Sequence, residues 1–346
     1  MGRRMTNKKF IILIFVSILF AISAAISINL NTQNYNFKDR GEIFLNNFTQ
    51  NINDINVISI ESFENNIDLV KKGSSYISES GYPLKKGMWE NLITSLSLLR
   101  IEESKTNDPD RHKDLNLKSP ELNKSEDESE GFATKITLKK SDGTIFSSIL
   151  FGKTDPSVGG LSGGQFARMS GQNQSYLLKG AIRMPGGKSD WFESLLFTIK
   201  NESFVKASLI KKDKIFEIED IKNSLKLTYP QTLSFKPDEE KLKDVRDVIE
   251  SFYFYDVKKS LNNYSDELPT LSYKTKEGLI LSISSVNPDA KGESWVIINA
   301  EAVGPKSKKL ADEIKNKTEG FEFLANINTS NILRWKANDL KPQNNK

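Results

Sequence analysis

A glycine-rich serine motif is the first feature of the sequence that could carry catalytic chemistry. Residues 160–164 read Gly-Leu-Ser-Gly-Gly and match the G-x-S-x-G pattern of a serine nucleophile. Such a serine is followed directly by a helix in the sequence, and its histidine base comes later in the chain. The one histidine, His112, precedes Ser162 by 50 residues, and residues 165–169 have the pattern of a strand. We therefore expect a flexible hairpin loop and no catalytic serine.

Other catalytic and cofactor motifs are also missing from the sequence. The chain has no cysteine, which excludes disulfides, thiolate metal sites and cysteine nucleophiles, and a single histidine excludes a multi-histidine metal site. Residues 186–189 read Gly-Gly-Lys-Ser, but the first glycine of a phosphate-binding loop would fall at Ile182. The acidic run at 126–130 lacks the ligand spacing of a calcium loop. We expect no catalytic residue, metal or cofactor.

The remaining candidates for chemistry are carboxylate pairs and aromatic side chains. The 45 acidic residues offer many pairs, but none stands in a recognisable hydrolase pattern, so an envelope hydrolase is only a third possibility. The tryptophans, Trp191 and Trp295 among them, occupy apolar positions of predicted elements. Core packing explains them most simply, and a ligand or partner surface is the alternative.

The N-terminus has the properties of a membrane anchor. Residues 10–28 carry no charge, and residues 10–30 together reach the length that a helix needs to cross hydrocarbon. Residues 1–9 form a basic flank with Arg3, Arg4, Lys8 and Lys9, which places this end in the cytoplasm and the rest of the chain outside. A cleavable signal peptide, with Ser23-Ala24-Ala25 near the cleavage site, is the other reading. Both readings export the main domain.

The charge of the chain argues against a nucleic-acid partner. The chain has 49 Lys and Arg against 45 Asp and Glu, an excess of four. Four basic residues precede the span, so the exported part has 49 − 4 = 45 positive charges and 45 negative ones. A nucleic-acid-binding domain needs a clustered positive excess. The excess instead sets the orientation of the predicted anchor.

The exported chain alternates between strand and helix patterns. A polar stalk at 31–49 leads to strand patterns from Val57 to Ser78 and an amphipathic helix at 85–100. Residues 102–131 are strongly charged and predict a solvated loop. Four antiparallel strands follow between 134 and 178, the first two joined by an Asp-Gly turn, and then a short helix at 191–196.

The same order begins again near residue 203. Three strand patterns at 204–229 end in Tyr-Pro, as the first set does at Tyr82-Pro83, and a helical pattern starts near Lys236. Further strands follow at 271–300, then a helix at 306–316 and a last strand at 328–335. We therefore predict an α+β protein: an N-terminal transmembrane helix and two related units of antiparallel sheet with amphipathic helices, at 50–200 and 201–340, before a polar tail at 341–346.

Several short motifs accompany this order of elements. Gly81-Tyr82-Pro83 precedes the first helix, in which Leu92–Leu99 is followed by Glu102–Thr106, and a strand that Gly143 opens ends at Phe151-Gly152-Lys153. Phe166-Ala167-Arg168, Ser175-Tyr176-Leu177 and Trp191 come next. From about residue 57 to residue 335 the chain resembles a bacterial family classed as domain of unknown function 4340. The family tends to have Tyr-x-Arg where Phe166-Ala167-Arg168 stands.

The resemblance implies a single-span exported protein of the bacterial inner membrane, with a cytoplasmic N-terminus and a periplasmic domain. Members are often encoded beside ABC transporter components of the gliding-motility type, and the family has no catalytic residues to carry over. We therefore expect a non-enzymatic accessory or interaction protein of an ABC-type export or envelope system. The alternative is a periplasmic module that binds a glycan or another envelope ligand. Arg168, Tyr176, Trp191 and Trp295 are the candidate surface residues.

Overall fold

A computed structural model of the chain describes residues 14, 16–26, 39–63, 65–122, 130–158, 163–231, 234–261, 263–265, 267–289 and 291–342. Among them there is no helix with the length and apolar character needed to traverse a membrane. Of the span predicted at 10–30, residues 14 and 16–26 are described and helical, and the others lie outside the described residues.

Eight strands form the first sheet. They are β1 (Ile55–Glu61), β2 (Asn66–Lys72), β3 (Ser75–Ser78), β4 (Arg100–Ser104), β5 (Thr134–Lys140), β6 (Ile145–Asp155), β7 (Gly164–Met169) and β8 (Ser175–Lys179). Their order across the sheet is β3-β2-β1-β5-β6-β7-β8-β4. The predicted Asp-Gly hairpin joins β5 to β6, where Gly143 has a φ of 83° and the Asp142 carboxylate accepts a hydrogen bond from the Thr144 amide at 2.9 Å.

The second sheet repeats this topology. Its strands are β10 (Phe204–Ile210), β11 (Lys214–Asp220), β12 (Leu225–Tyr229), β14 (Val257–Lys259), β15 (Thr270–Thr275), β16 (Leu279–Ser285), β17 (Trp295–Ala302) and β18 (Phe321–Leu324). Their order is β12-β11-β10-β15-β16-β17-β18-β14, the order of the first sheet strand for strand. The short strands β9 (Leu195–Phe197) and β13 (Phe252–Tyr253) pair separately. The prediction of two related antiparallel sheets in an α+β protein is therefore confirmed.

Five α-helices accompany the sheets in the residues from 39 onwards that the structure describes. They are α1 (Phe48–Asn51), α2 (Met88–Leu98), α3 (Glu239–Asp247), α4 (Pro305–Thr318) and α5 (Ile327–Arg334). Helices α2 and α3 occupy the same place in the two repeats, between the third and fourth strands. Asp238 caps α3 by accepting a hydrogen bond from the Glu240 amide at 3.0 Å, and the acids of the first turn favour this helix end. Helix α4 has no counterpart, because a turn joins β7 to β8.

Each sheet has an extended apolar face. In the first sheet Ile58, Ile136 and Ile149 are fully buried on it, and in the second Leu209 and Leu281 are. Period-two alternation puts polar side chains such as Thr137 on the opposite face of the first sheet, which also holds a smaller buried cluster of Leu117, Ala133, Leu150, Phe166 and Leu177. The buried face of the second sheet contacts α3, where the Tyr273 hydroxyl donates to the Val245 carbonyl at 2.8 Å.

Two segments that the sequence predicts to be solvated contribute to the packing. Phe44 and Phe48, from the end of the predicted stalk, are buried. The charged segment at 102–131 begins within β4 and forms a 3-10 helix at Pro109–Leu115, with Leu117 fully buried after it. Most of the acidic run at 126–130 lies outside the described residues. The charged segment thus contains apolar side chains, Leu115 and Leu117, that pack against the sheet.

Two predicted elements are wrong in type. Residues 328–335 were expected as a strand, but α5 occupies them: the Asn326 side chain caps the helix at the Thr329 amide, 2.8 Å away, and Ile332 and Leu333 are buried. The short helix expected at 191–196 is a 3-10 turn at Lys188–Trp191 followed by β9. In both places local hydrogen bonding and burial outweigh the weak periodicity of a short segment.

The described residues form two compact units. One contains residues from 1–66 and 90–183, and the other contains residues from 67–89 and 184–346. The division is not sequential, because the chain enters the second unit at 67–89 before it returns to complete the first.

Candidate functional site

Arg168 and Tyr176 lie on neighbouring strands of the first sheet, β7 and β8. Arg168 pairs in register with Ser175 and Tyr176 pairs with Ala167, so the two candidate side chains leave opposite faces of the sheet. Arg168 is buried, whereas Tyr176 is partly exposed and packs edge-on against Phe44, with ring centroids 5.8 Å apart. The two residues therefore do not form one surface.

Trp191 and Trp295 both belong to the second unit and differ in exposure. Trp191 is buried in the 3-10 turn that precedes β9. Trp295 begins β17 and is partly exposed, and the Lys258 ammonium lies over its ring at 4.2 Å from the centroid. Core packing accounts for Trp191, so Trp295 is the tryptophan of the two that has a face near solvent.

An open groove of about 580 Å³ lies on the first sheet. It crosses the interior strands β1, β5, β6 and β7 near the β5–β6 hairpin. Its lining is polar, with two lysines and four hydroxyls: Glu61, Lys135, Thr137, Lys139, Ile145, Ser147, Ser148, Met169, Ser170 and Gln172. The volume is that of a small-molecule site, but the predominance of polar side chains distinguishes it from an apolar ligand pocket.

Lys135 forms ion pairs with two glutamates at one end of the groove. Its ammonium pairs with Glu121 and lies 3.5 Å from Glu61, the groove carboxylate opposite it in register. Burial lowers the pKa of Lys135, but the hydrogen bond to Glu121 and the negative charges of both glutamates outweigh burial and raise it. This lysine is charged and already has two partners.

Arg168 lies beside the groove on the same sheet face as Lys135, because both residues pair with Leu150. Its Nε donates to the Leu117 carbonyl and its Nη1 to the Gln172 carbonyl, each at 3.0 Å. Burial lowers the pKa of the guanidinium. Among the described residues, no carboxylate forms an ion pair with it. The arginine thus fastens the segment at Leu117 and the groove turn at Gln172 with carbonyl acceptors alone.

A buried carboxylate in the second unit was not anticipated from the sequence. The Glu322 side chain is 1% exposed and pairs with Lys258 at 3.1 Å. Its other oxygen accepts a hydrogen bond from the Tyr264 hydroxyl, and that hydroxyl lies 2.8 Å from Ser260 Oγ. Burial, and then the bond to Glu322, raise the pKa of Tyr264. Through Lys258 this network also holds Trp295, so it fixes the one partly exposed tryptophan candidate.

A second carboxylate cluster lies on β10 and β11. Glu217 accepts hydrogen bonds from Ser208 Oγ at 2.7 Å, Lys214 at 3.0 Å and Lys206 at 3.1 Å. Burial opposes ionisation, but these three donors outweigh it and hold the pKa of Glu217 at about 2. The alternation of Lys206 and Ser208, with Glu217 across the hairpin, is the sequence signal that could have indicated this cluster.

The serine motif and the histidine do not supply a catalytic pair in the described residues. Ser162 lies outside them, and β7 begins at Gly164 as the strand pattern predicted. His112 is 5% exposed and its Nε2 is 2.8 Å from the Asn173 carbonyl. The part of the chain that the structure describes also has no group of three or more His, Asp or Glu placed to hold a metal ion.

Comparison with known proteins supports the resemblance seen in the motifs. The profile of the family described as "Domain of unknown function (DUF4340)" matches residues 75–263, more than half of the chain. The chain belongs to the DUF4340 family. No curated protein and no solved structure matches it.

The DUF4340 match runs from β3 to just beyond β14 and so includes elements of both repeats. The tyrosine of the Gly81-Tyr82-Pro83 motif is buried among phenylalanines, edge-on to Phe321 with ring centroids 4.9 Å apart and to Phe254 at 5.5 Å. Burial raises the pKa of Tyr82 to about 12. In this DUF4340 protein the motif is therefore a packing feature of the second unit.

Proposed function

We propose that this DUF4340 protein is a non-enzymatic, membrane-anchored accessory or interaction protein of an ABC-type export or envelope system. The observation that carries the anchor is the helical segment at 16–26, where Leu19 is 67% and Phe20 is 70% exposed. An α-helix that is apolar on all sides belongs in a protein core or in a membrane.

The composition of this segment fits a hydrocarbon environment. Ile14, just before the segment, is exposed, and six large apolar side chains are exposed on it as well: Val16, Ile18, Leu19, Phe20, Ile22 and Ile26. The Ser23 hydroxyl donates back to the Leu19 carbonyl at 2.9 Å, so it needs no water. Burial of such side chains stabilises a membrane-inserted helix by roughly 25 cal/mol per Å².

The association with an ABC-type system rests on family membership. The profile match covers 75–263, and the family resemblance implies members encoded beside transporter components. The basic flank at 1–9 would hold the N-terminus in the cytoplasm of a bacterial inner membrane, with both α+β units in the periplasm. There they would be available to an exported segment of a transporter or to another envelope protein.

Purification of the tagged full-length chain from membranes in mild detergent tests the proposal. We expect transporter subunits to co-purify and the chain to stay with membranes after an alkaline wash. The matched control is the Leu19→Lys, Phe20→Lys double variant, which should leave the washed membrane because two charges would enter the hydrocarbon. Recovery of the wild-type chain without any transporter subunit would count against the association, and its intact mass separates an anchor from a cleaved leader.

The second candidate function is a periplasmic module that binds a glycan or another envelope ligand through aromatic side chains. The partial exposure of Trp295 favours it, and the burial of Trp191 removes that residue from such a site. The Lys258 ammonium already occupies one face of the Trp295 ring. A stacked ligand would therefore have to use the other face or displace this lysine.

A further inference from the structure

A row of hydroxyl groups crosses the first sheet into the groove described above. In register, Ser59 on β1 faces Thr137 on β5, and Thr137 faces Ser148 on β6. Thr137 Oγ1 and Ser148 Oγ are 3.0 Å apart and both residues line the groove. Ser59 Oγ is buried at the end of the row and has no hydrogen-bond partner. A buried hydroxyl without a partner costs free energy, so this row is not optimised for stability alone.

The second repeat has a corresponding row of hydroxyls, in which the serine at the end of the row has a hydrogen-bond partner. Ser208 on β10 faces Ser272 on β15, which faces Ser282 on β16. Here Ser208 Oγ donates to Glu217 at 2.7 Å, and two lysines neutralise that carboxylate. The two sheets share one topology but differ at this point. In the second sheet the hydroxyl at the end of the row donates to the Glu217 carboxylate, and in the first sheet the corresponding Ser59 hydroxyl has no acceptor among the described residues.

The groove also has positive charge that is not compensated. Lys139 lines it, and among the described residues no carboxylate pairs with this lysine. Arg168, which donates to the groove residue Gln172, likewise has carbonyl partners only. Lys135 and its two partners, Glu61 and Glu121, together contribute a charge of about −1. With Lys139 and Arg168 added, the net charge of the five groups is about +1. An anion at the Lys139 end would gain a charge-assisted hydrogen bond.

The position of the groove restricts the kind of ligand. Strands β1, β5, β6 and β7 are interior strands, each hydrogen-bonded on both sides. An extended peptide that adds to a sheet needs a free edge, which this groove does not offer. Side-chain hydroxyls and the Gln172 amide can both donate and accept hydrogen bonds, and this suits a ligand that carries many hydroxyls. Ile145, 63% exposed, provides an apolar contact for a sugar ring.

We propose that the groove on the first sheet binds an acidic oligosaccharide. Lys139 pairs with a carboxylate of the ligand, while Thr137, Ser148 and Gln172 form hydrogen bonds with its hydroxyls. Arg168 acts as a positioning residue, because it holds the turn that carries Gln172. The site is separate from Trp295 and does not depend on association with a transporter.

Calorimetric titration of the purified full-length chain in detergent tests this site. The probe is trigalacturonic acid, and its methyl ester, which has the same rings without the charges, is the matched ligand. We expect the acid to bind at least about tenfold more tightly than the ester, since one charge-assisted hydrogen bond has about that effect. Lys139→Gln should remove this preference, and the affinity for the acid should fall as salt is added.

The control variant is Lys140→Gln, which removes an equal charge from the next residue of β5 and should leave binding unchanged. Ser148→Ala keeps all charges and should weaken the acid and the ester alike, so it checks the hydroxyl row without relying on Lys139. Equal binding of acid and ester would overturn the proposal, as would tighter binding of triglutamate, which would make the groove a peptide site. Absence of binding by trigalacturonic acid to the folded chain would overturn it too.

Discussion

At the scale of single residues, Glu217 illustrates how a buried charge is retained. Three donors hold its pKa at about 2, below the ordinary value of 4.5, although burial acts in the opposite direction. Because the pKa in the folded state is the lower one, ionised Glu217 stabilises the folded chain above about pH 4.5, and this contribution is lost as the pH falls towards 2. The difference corresponds to about 3 kcal/mol at neutral pH.

Glu217→Gln should therefore lower the free energy of unfolding at pH 7 and have a smaller effect near pH 2.5. Urea unfolding followed by circular dichroism at both pH values measures this. Glu219→Gln, two residues along β11, controls for the loss of one negative charge and should leave the pH dependence in place. An equal loss of stability by Glu217→Gln at both pH values would show that the cluster acts through packing alone.

The sequence predicted only in part which candidate residues are exposed at the surface. Trp191 and Trp295 both occupy apolar positions, yet one is buried and the other is partly exposed beside Lys258. The exposure of a side chain depends on strands that are distant in sequence, such as β14 for Trp295. A local sequence pattern therefore cannot predict it. The burial of Arg168 has the same origin, since its acceptor Leu117 belongs to a segment whose composition predicts solvation.

At the scale of elements, Gly152 determines how the segment at 109–117 rests on the first sheet. A Cβ atom at this position would lie 2.1 Å from the Leu115 carbonyl oxygen and 3.1 Å from that of Asn116. Both are backbone atoms, so a side chain here must displace the segment. We expect Gly152→Ala to lower the free energy of unfolding by about 3 kcal/mol, the upper part of the range for overpacking.

The single histidine provides a local measurement for this variant. His112 lies in the displaced segment and contacts the Asn173 carbonyl, so its imidazole NMR signals should shift in Gly152→Ala. Gly186→Ala is the control, because the nearest atom to its Cβ would be 3.8 Å away and its φ is not in the left-handed region. An unchanged His112 spectrum with unchanged stability would show that the segment is not held at Gly152.

Elements with strong alternation or flanking turn signals were predictable, including the short strands β3 and β8, whereas short strands without such signals were not. The β5–β6 hairpin follows from its alternation and the Asp-Gly turn. Strands β4, β14 and β18 have three to five residues, too few for a periodic signal, and they are fixed by pairing with distant strands. Helix α5 was misread because its apolar residues are few, although Asn326 three residues before Thr329 is a recognisable capping signal.

At the scale of the whole molecule, the repeated sheet order explains why the Tyr-Pro echo was informative. Tyr82-Pro83 comes shortly after β3, the third strand of the first sheet, and Tyr229-Pro230 lies at the end of β12, the third strand of the second. The repeats have nevertheless diverged, because Tyr82 is buried among aromatic rings and Tyr229 is exposed. Shared topology therefore preserves the connection while the packing at corresponding positions changes.

The distribution of charge along the chain yields a prediction about membrane orientation. The residues after position 30 have no formal net charge, so under the proposed anchoring the excess of four at Arg3, Arg4, Lys8 and Lys9 should set the topology. A C-terminal phosphatase that is active only outside the cytoplasm should be active on the wild-type chain. Replacement of all four residues by Ser should lower this activity severalfold.

The control variant neutralises four exposed lysines of α4 instead, Lys306, Lys308, Lys309 and Lys315, and should leave the phosphatase activity unchanged. An inactive wild-type fusion would reverse the proposed orientation.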